Sequence, residues 1–141
     1  MSRIFWDTNL FIYLMEGRGE LANQVSALRG RMRERGDQLC TSTLTLGEVL
    51  VKPMQQDRPE LAEKYEAALS SPAVLLIPFD RACARVCARL RQDKSIRGPD
   101  VVQLSCAAHA GCDLFITNDD RLSRKVVPGI HFIVSLARAF L

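Results

Sequence analysis

No run of apolar residues in this chain approaches the roughly 20 that cross a bilayer as a helix, so a membrane-spanning role is not expected. The N-terminus, Met1-Ser2-Arg3-Ile4-Phe5-Trp6-Asp7, offers one positive charge and a very short apolar run before an acid, which does not make a signal peptide. Lysine is scarce: only Lys52, Lys64, Lys94 and Lys125 occur among 19 basic residues. The rest are arginine, whose planar donor fork suits phosphate. Charge of one sign is also scarce, with a formal net charge of +3 from 19 basic and 16 acidic residues. That balance permits contact with nucleic acid without demanding it. Histidine is limited to His109 and His131, and neither falls in a ligand spacing with cysteine or with the other, which argues against zinc. The five cysteines, Cys40, Cys83, Cys87, Cys106 and Cys112, are odd in number and lack framework spacing. They read as reduced thiols of a cytoplasmic protein. Cys83, Val86, Cys87 and Leu90 make one helical stripe, so these thiols are expected to pack as small hydrophobes.

What is present is ordinary for one globular domain. The chain has 141 residues, 48% hydrophobic and 25% charged. Short apolar runs alternate with stretches of helical periodicity. Strands are expected at Ile4–Trp6, Gln38–Thr41, Val74–Ile77, Leu114–Thr117 and His131–Val134. Helices are expected to begin at Leu10 and to span Glu20–Arg35, closed by Gly36. Another is capped by Thr43 or Ser42 and ended by Pro53, and another covers Pro59–Leu69. Asp80 caps a helix to about Gln92, Pro99 opens one to Ala110, and Asn118 or Asp119 opens a short one to Lys125. Ser135–Leu141 closes the chain with a helical turn or two. Strands alternating with helices argue an α/β fold, a single domain over residues 1–141 with a central parallel sheet of about five strands.

In such sheets ligands bind beyond the carboxyl ends of the strands, and the acids gather there. Asp7 follows the first strand directly, Asp119 follows the fourth after Asn118, and Asp100 begins the preceding helix. Glu48 interrupts the apolar stretch Leu44–Leu50, where a carboxylate is costly to bury alone. Carboxylates forced together repel, and a divalent cation removes that penalty. An all-oxygen acidic site selects Mg²⁺ or Mn²⁺. Such cations, held by acids, serve in-line attack on a phosphodiester, in two-metal sites with ions roughly 3.5–4 Å apart. The bland alternative for Asp100 or Asp119 taken singly is a helix cap, and for Glu48 a pairing with arginine.

These residues match a family. Ile4-Phe5-Trp6-Asp7-Thr8-Asn9-Leu10-Phe11-Ile12-Tyr13 resembles the opening signature of PIN-domain nucleases. The segment from Thr41 to Leu50, which carries Glu48, resembles their second motif. Pro99-Asp100-Val101-Val102-Gln103-Leu104-Ser105-Cys106-Ala107 resembles the third, and Phe115 to Leu122 the fourth. The motifs follow the family's order over nearly the whole chain. The resemblance implies that Asp7, Glu48, Asp100 and Asp119 form an acidic catalytic cluster that binds Mg²⁺, with Mn²⁺ as a substitute. It implies that Thr8, Asn9, Ser42 and Thr117 are polar support that orients the carboxylates. Asp120 is a neighbour able to replace Asp119, which itself fits the threonine-x-aspartate pattern. Asp113 lies at the wrong end of its strand and is left out. The short length is similar to the VapC-type toxin subgroup, which implies an RNA substrate, a homodimer and a cognate antitoxin protein. Larger PIN nucleases of RNA processing share the motifs.

Two other classes start from the same acids. A phosphatase of the haloacid dehalogenase type needs a second acid two residues after the first, where this chain has Asn9. A receiver-type phosphoacceptor module needs a lysine at the end of a late strand, whereas Lys125 follows a helix.

Overall fold

The computed structural model describes residues 1–139. Five strands, β1 (Arg3–Trp6), β2 (Gln38–Ser42), β3 (Val74–Ile77), β4 (Leu114–Thr117) and β5 (Phe132–Ser135), form one sheet in the order β3-β2-β1-β4-β5. Every neighbouring pair is parallel, with Ile4 opposite both Leu39 and Leu114. Parallel strands need crossover connections, and here helices make them. The helices are α1 (Thr8–Glu16), α2 (Glu20–Arg35), α3 (Thr43–Gln55), α4 (Pro59–Leu69), α5 (Arg81–Leu90), α6 (Gly98–His109) and α7 (Asp120–Ser123). The α/β class and the five-stranded parallel sheet agree with the expectation from sequence. No described helix is long and apolar enough to cross a membrane.

Helices cover both faces of the sheet, so the central strands are apolar on both sides. Ile4, Trp6, Leu39 and Ile116 face one core, filled from α1 to α4 by Leu10, Phe11, Val25, Leu28, Met32, Val49, Leu61 and Tyr65. Phe5, Cys40, Phe115 and Ile133 point the opposite way, into a core with Cys83, Leu104, Cys106, Ala107 and Leu122 of α5 to α7. Phe5 and Phe115 stack across the β1–β4 pair with centroids 5.0 Å apart. All five cysteines are free thiols, and four of them are buried as small apolar residues.

Three local expectations need correction. Pro53 does not end its helix: α3 continues to Gln55 with Pro53 inside it and buried. The missing N–H costs one bond near the helix end. The carbonyls of Lys52 and Pro53 are still used, by Gln56 N at 2.9 Å and Arg58 N at 2.8 Å. Ser42 occupies the N-cap position of α3 but its side chain makes no capping bond, being turned to Gln103 instead. The last strand is shifted by one residue and leaves His131 outside, 3.5 Å from Asp113. After it only a single 3-10 turn, Leu136–Arg138, follows. The part of the expected closing helix at 140–141 lies outside the described residues.

Candidate active site

Four carboxylates reach one cavity of about 350 Å³ at the carboxyl edge of the sheet. Asp7, Glu48, Asp100 and Asp119 line it with Thr8, Asn9, Ile12, Pro99 and Gln103. Each acid arrives on a different element. Asp7 ends β1: its backbone N–H still bonds Ile116 O at 3.0 Å, and its side chain then caps α1 by accepting from Thr8 N at 2.9 Å. Asp119 sits just beyond β4 and caps α7, accepting from Arg121 N at 3.0 Å and Leu122 N at 3.3 Å. The capping role anticipated for this residue is therefore realised through Oδ1, and Asp119 still lines the cavity. Asp100 lies in the first turn of α6, where the helix N-terminus favours negative charge. Glu48 projects from α3 and accepts from the Thr8 hydroxyl at 2.6 Å.

Beneath the acids lies a buried polar network. Thr117 Oγ1 donates to Asp7 Oδ2 at 2.8 Å and accepts from Asp119 N at 3.1 Å, tying the Asp7 carboxylate to the Asp119 backbone through one hydroxyl. Gln103 is buried at the centre. Its Nε2 donates to Thr8 Oγ1 at 3.1 Å and to Thr45 Oγ1 at 2.8 Å, and its Oε1 accepts from the Ser42 hydroxyl. The chain of bonds thus runs from β2 through Gln103 and Thr8 to Glu48. Of the supporting residues expected from sequence, Thr8 and Thr117 touch the carboxylates directly, and Ser42 acts through Gln103 from below. Asn9 lines the cavity but no side-chain hydrogen bond ties it to an acid. Asp120 is exposed and does not line the cavity. Asp113 lies at the opposite edge of the sheet, where it accepts from Arg3 N at 2.8 Å.

Gln103 and Thr45 were not singled out by sequence reasoning, although both lie inside the quoted motifs. A glutamine within an otherwise apolar helix is the one available signal. Replacing Gln103 by Leu leaves the buried Ser42 hydroxyl without its partner and removes one donor each from Thr8 and Thr45, which keep their bonds with Glu48 and Thr41. The expected result is a loss of about 2 kcal/mol in unfolding free energy, typical of buried polar groups left unpaired. Urea denaturation checks it, with an unchanged midpoint as the contrary outcome.

The electrostatics are those of crowded, partly buried carboxylates. Burial raises the Asp7 pKa above its ordinary value, and the nearby charges of Glu48 and Asp119 raise it further, against the opposing bonds from Thr117 and Thr8. Asp100 is raised by burial and then by Asp7 and Asp119, with Arg121 and Arg97 giving partial relief. Among the described residues the ion pairs are Arg35–Asp37, Lys125–Asp93 and His131–Asp113, so none of the four pocket acids is neutralised by a basic side chain. Clustered carboxylates of this kind, all-oxygen and without a paired base, fit a hard divalent cation. Three larger cavities, of about 500, 480 and 470 Å³, lie beside Arg3 and Gln38, between α3 and α4, and beside α2. None of them is lined by four acids, and the acids of the second, Asp57, Glu63 and Glu66, share it with Arg58.

Comparison with known proteins agrees with this fold. The family description "PIN domain" matches residues 4–127. Among solved structures, the fold resembles VapBC2 from Rickettsia felis bound to a DNA fragment from its promoter. The TM-score is 0.75 at 16% identity, covering 94% of this chain and 98% of that one. A toxin–antitoxin complex from Klebsiella pneumoniae gives a TM-score of 0.69 at 23% identity, covering 90% and 94%. VapC20 of Mycobacterium tuberculosis, a sarcin–ricin loop cleaving toxin, gives 0.66 at 16% identity, covering 87% and 96%. No curated protein matches the chain by sequence. The match over residues 4–127, together with the α/β sheet and the order of the four motifs, means that the chain belongs to the PIN domain family.

Proposed function

We propose that this protein is a Mg²⁺-dependent ribonuclease and the toxin of a bacterial toxin–antitoxin pair. The observation that carries the nuclease reading is the convergence of four unpaired carboxylates from four elements on one cavity. Asp7, Glu48, Asp100 and Asp119 would hold the cation, with Mn²⁺ as a substitute. When bound, the cation supplies charge stabilisation to a phosphodiester undergoing in-line attack. The chain's own residues position it. Thr8 orients Glu48, Thr117 holds Asp7 and the Asp119 backbone in register, and Gln103 keeps Thr8 from turning away. Fixing carboxylates through such partners is what sets metal affinity in comparable sites. The toxin role is supported by the likeness to toxin–antitoxin structures over nearly the full length of both chains. The RNA substrate, the antitoxin partner and a homodimer in the cytoplasm follow from that reading.

The test is cleavage of single-stranded RNA. Activity is expected with Mg²⁺ or Mn²⁺, to be lost on chelation, and to be weak with Ca²⁺, whose loose coordination positions reactants poorly. Cleavage that persists in chelator overturns the metal assignment. Hydrolysis of small phosphate esters without RNA cleavage favours a phosphatase, and stable phosphorylation of an aspartate favours a receiver.

A further inference from the structure

At the far end of α6 from Asp100, a second group of donor side chains comes together. The helices α5 and α6 pack antiparallel, so that Gly98 of α6 lies beside Arg91, just past the end of α5. The first turn of α5 accordingly meets the last turn of α6. There Asp80, Cys83 and His109 each bring one ligand atom within 4.8 Å of the others. It is the one such triad of mixed or acidic donors among the described residues. Asp100 and His109 are nine residues apart on one helix, or about 14 Å along its axis. The two groups are therefore separate.

The three side chains are differently committed. Asp80 caps α5 through Oδ1, which accepts from Cys83 N at 3.0 Å, and its other oxygen makes no ion pair with His109. Cys83 is buried, with its sulfur 3.5 Å from Pro78 O. His109 is exposed at the end of α6. Zinc bonds sulfur at about 2.3 Å and nitrogen or oxygen at about 2.0–2.2 Å, so a tetrahedral ion holds its ligands roughly 3.3–3.8 Å apart. The three ligand atoms lie within 4.8 Å of one another, and two of them, on Asp80 and His109, belong to exposed residues. Thiolate and imidazole donors select a softer ion than the all-carboxylate cavity does.

We propose that Asp80, Cys83 and His109 form a Zn²⁺-class site with its fourth position open to solvent. The ion clamps the start of α5 to the end of α6, the helix that presents Asp100 at its other end. This site does not depend on the nuclease reading.

Co²⁺ titrated into the chelator-stripped full chain is the probe. One equivalent is expected to give a thiolate-to-cobalt charge-transfer band with tetrahedral visible absorption, displaced by Zn²⁺. Cys83→Ser removes the band. His109→Ala, at an exposed position, and Asp80→Asn, which keeps the cap, weaken Co²⁺ binding about tenfold or more. Asp7→Asn leaves the band unchanged. Co²⁺ uptake with no thiolate band means binding in the carboxylate cavity alone and overturns the proposal. So does an affinity that His109→Ala does not alter.

Discussion

Asp7→Asn is expected to abolish RNA cleavage while leaving the fold intact. Asp7 is the most central of the four acids in electrostatic terms, because it feels Glu48 and Asp119 and is felt by Asp100. Asparagine keeps the shape and, through its oxygen, the cap on Thr8 N, since Asn and Asp are comparable N-caps. It loses the charge that would hold a cation. A cation contributes several kcal/mol to stabilising a phosphoryl-transfer transition state, so the expected loss is at least roughly 10²–10³-fold in kcat/KM.

Metal-free stability is expected to move the other way, to a level at or slightly above wild type. The Asp7 carboxyl holds its proton to higher pH in the folded chain than in the unfolded one. Ionisation therefore costs folding free energy. That cost is absent below the ordinary value of 3.8 and complete above the raised folded value. Asn removes it at neutral pH, against the loss of the acceptor for Thr117. Adding Mg²⁺ is expected to raise the wild-type melting temperature, by about 2.7 kcal/mol of stabilisation at a hundred times Kd, and to do little for the variant. Paired melts and single-turnover cleavage measure both effects. A variant that keeps most of its activity at saturating Mg²⁺ removes Asp7 from the catalytic set.

The sheet was legible because each strand is a short apolar run bounded by turn or capping residues, as Val74–Ile77 is between Ser71-Pro72 and Pro78. The positions of Asp7, Asp100 and Asp119 were legible for a related reason. In a parallel sheet the residues just after a strand, and those opening the next helix, share an edge. Glu48 stood out as a charge in an apolar stretch. What escaped was set by tertiary packing. Gln103 bonds partners on α1, β2 and α3, and nothing in its own helix announces them. Ser42 looked like a cap because local geometry allows one, but a buried glutamine competed for its hydroxyl. Pro53 was tolerated because the bond it forfeits lies near the helix end. His109 and Cys83 meet only because α5 and α6 run antiparallel, which periodicity along either helix does not reveal.

Full inhibition by a small partner that places a basic side chain in the acid cavity is the second large effect expected. The cavity holds four carboxylates with no paired base, two of them raised in pKa by burial and mutual repulsion. A guanidinium entering it relieves that repulsion, as a cation does, and excludes the cation by occupying the same oxygens. Arginine suits the task better than lysine, because its fork can bridge two carboxylates, such as Asp7 and Asp100, with parallel hydrogen bonds. Removing the partner's arginine is expected to restore cleavage in the complex by 10-fold or more, since truncating one side of a buried charge pair costs about 2–5 kcal/mol. Mg²⁺ at high concentration is expected to weaken the wild-type complex by competition and to leave the arginine-free complex unaffected. The measurement is RNA cleavage by complexes formed with the product of the adjacent gene, across a Mg²⁺ series. Inhibition that survives the Arg→Ala change and ignores Mg²⁺ points instead to steric cover of the cavity. A chain that is harmless when expressed alone and copurifies with nothing from its own operon removes the toxin role, while leaving the nuclease chemistry of Asp7, Glu48, Asp100 and Asp119 to stand on its own test.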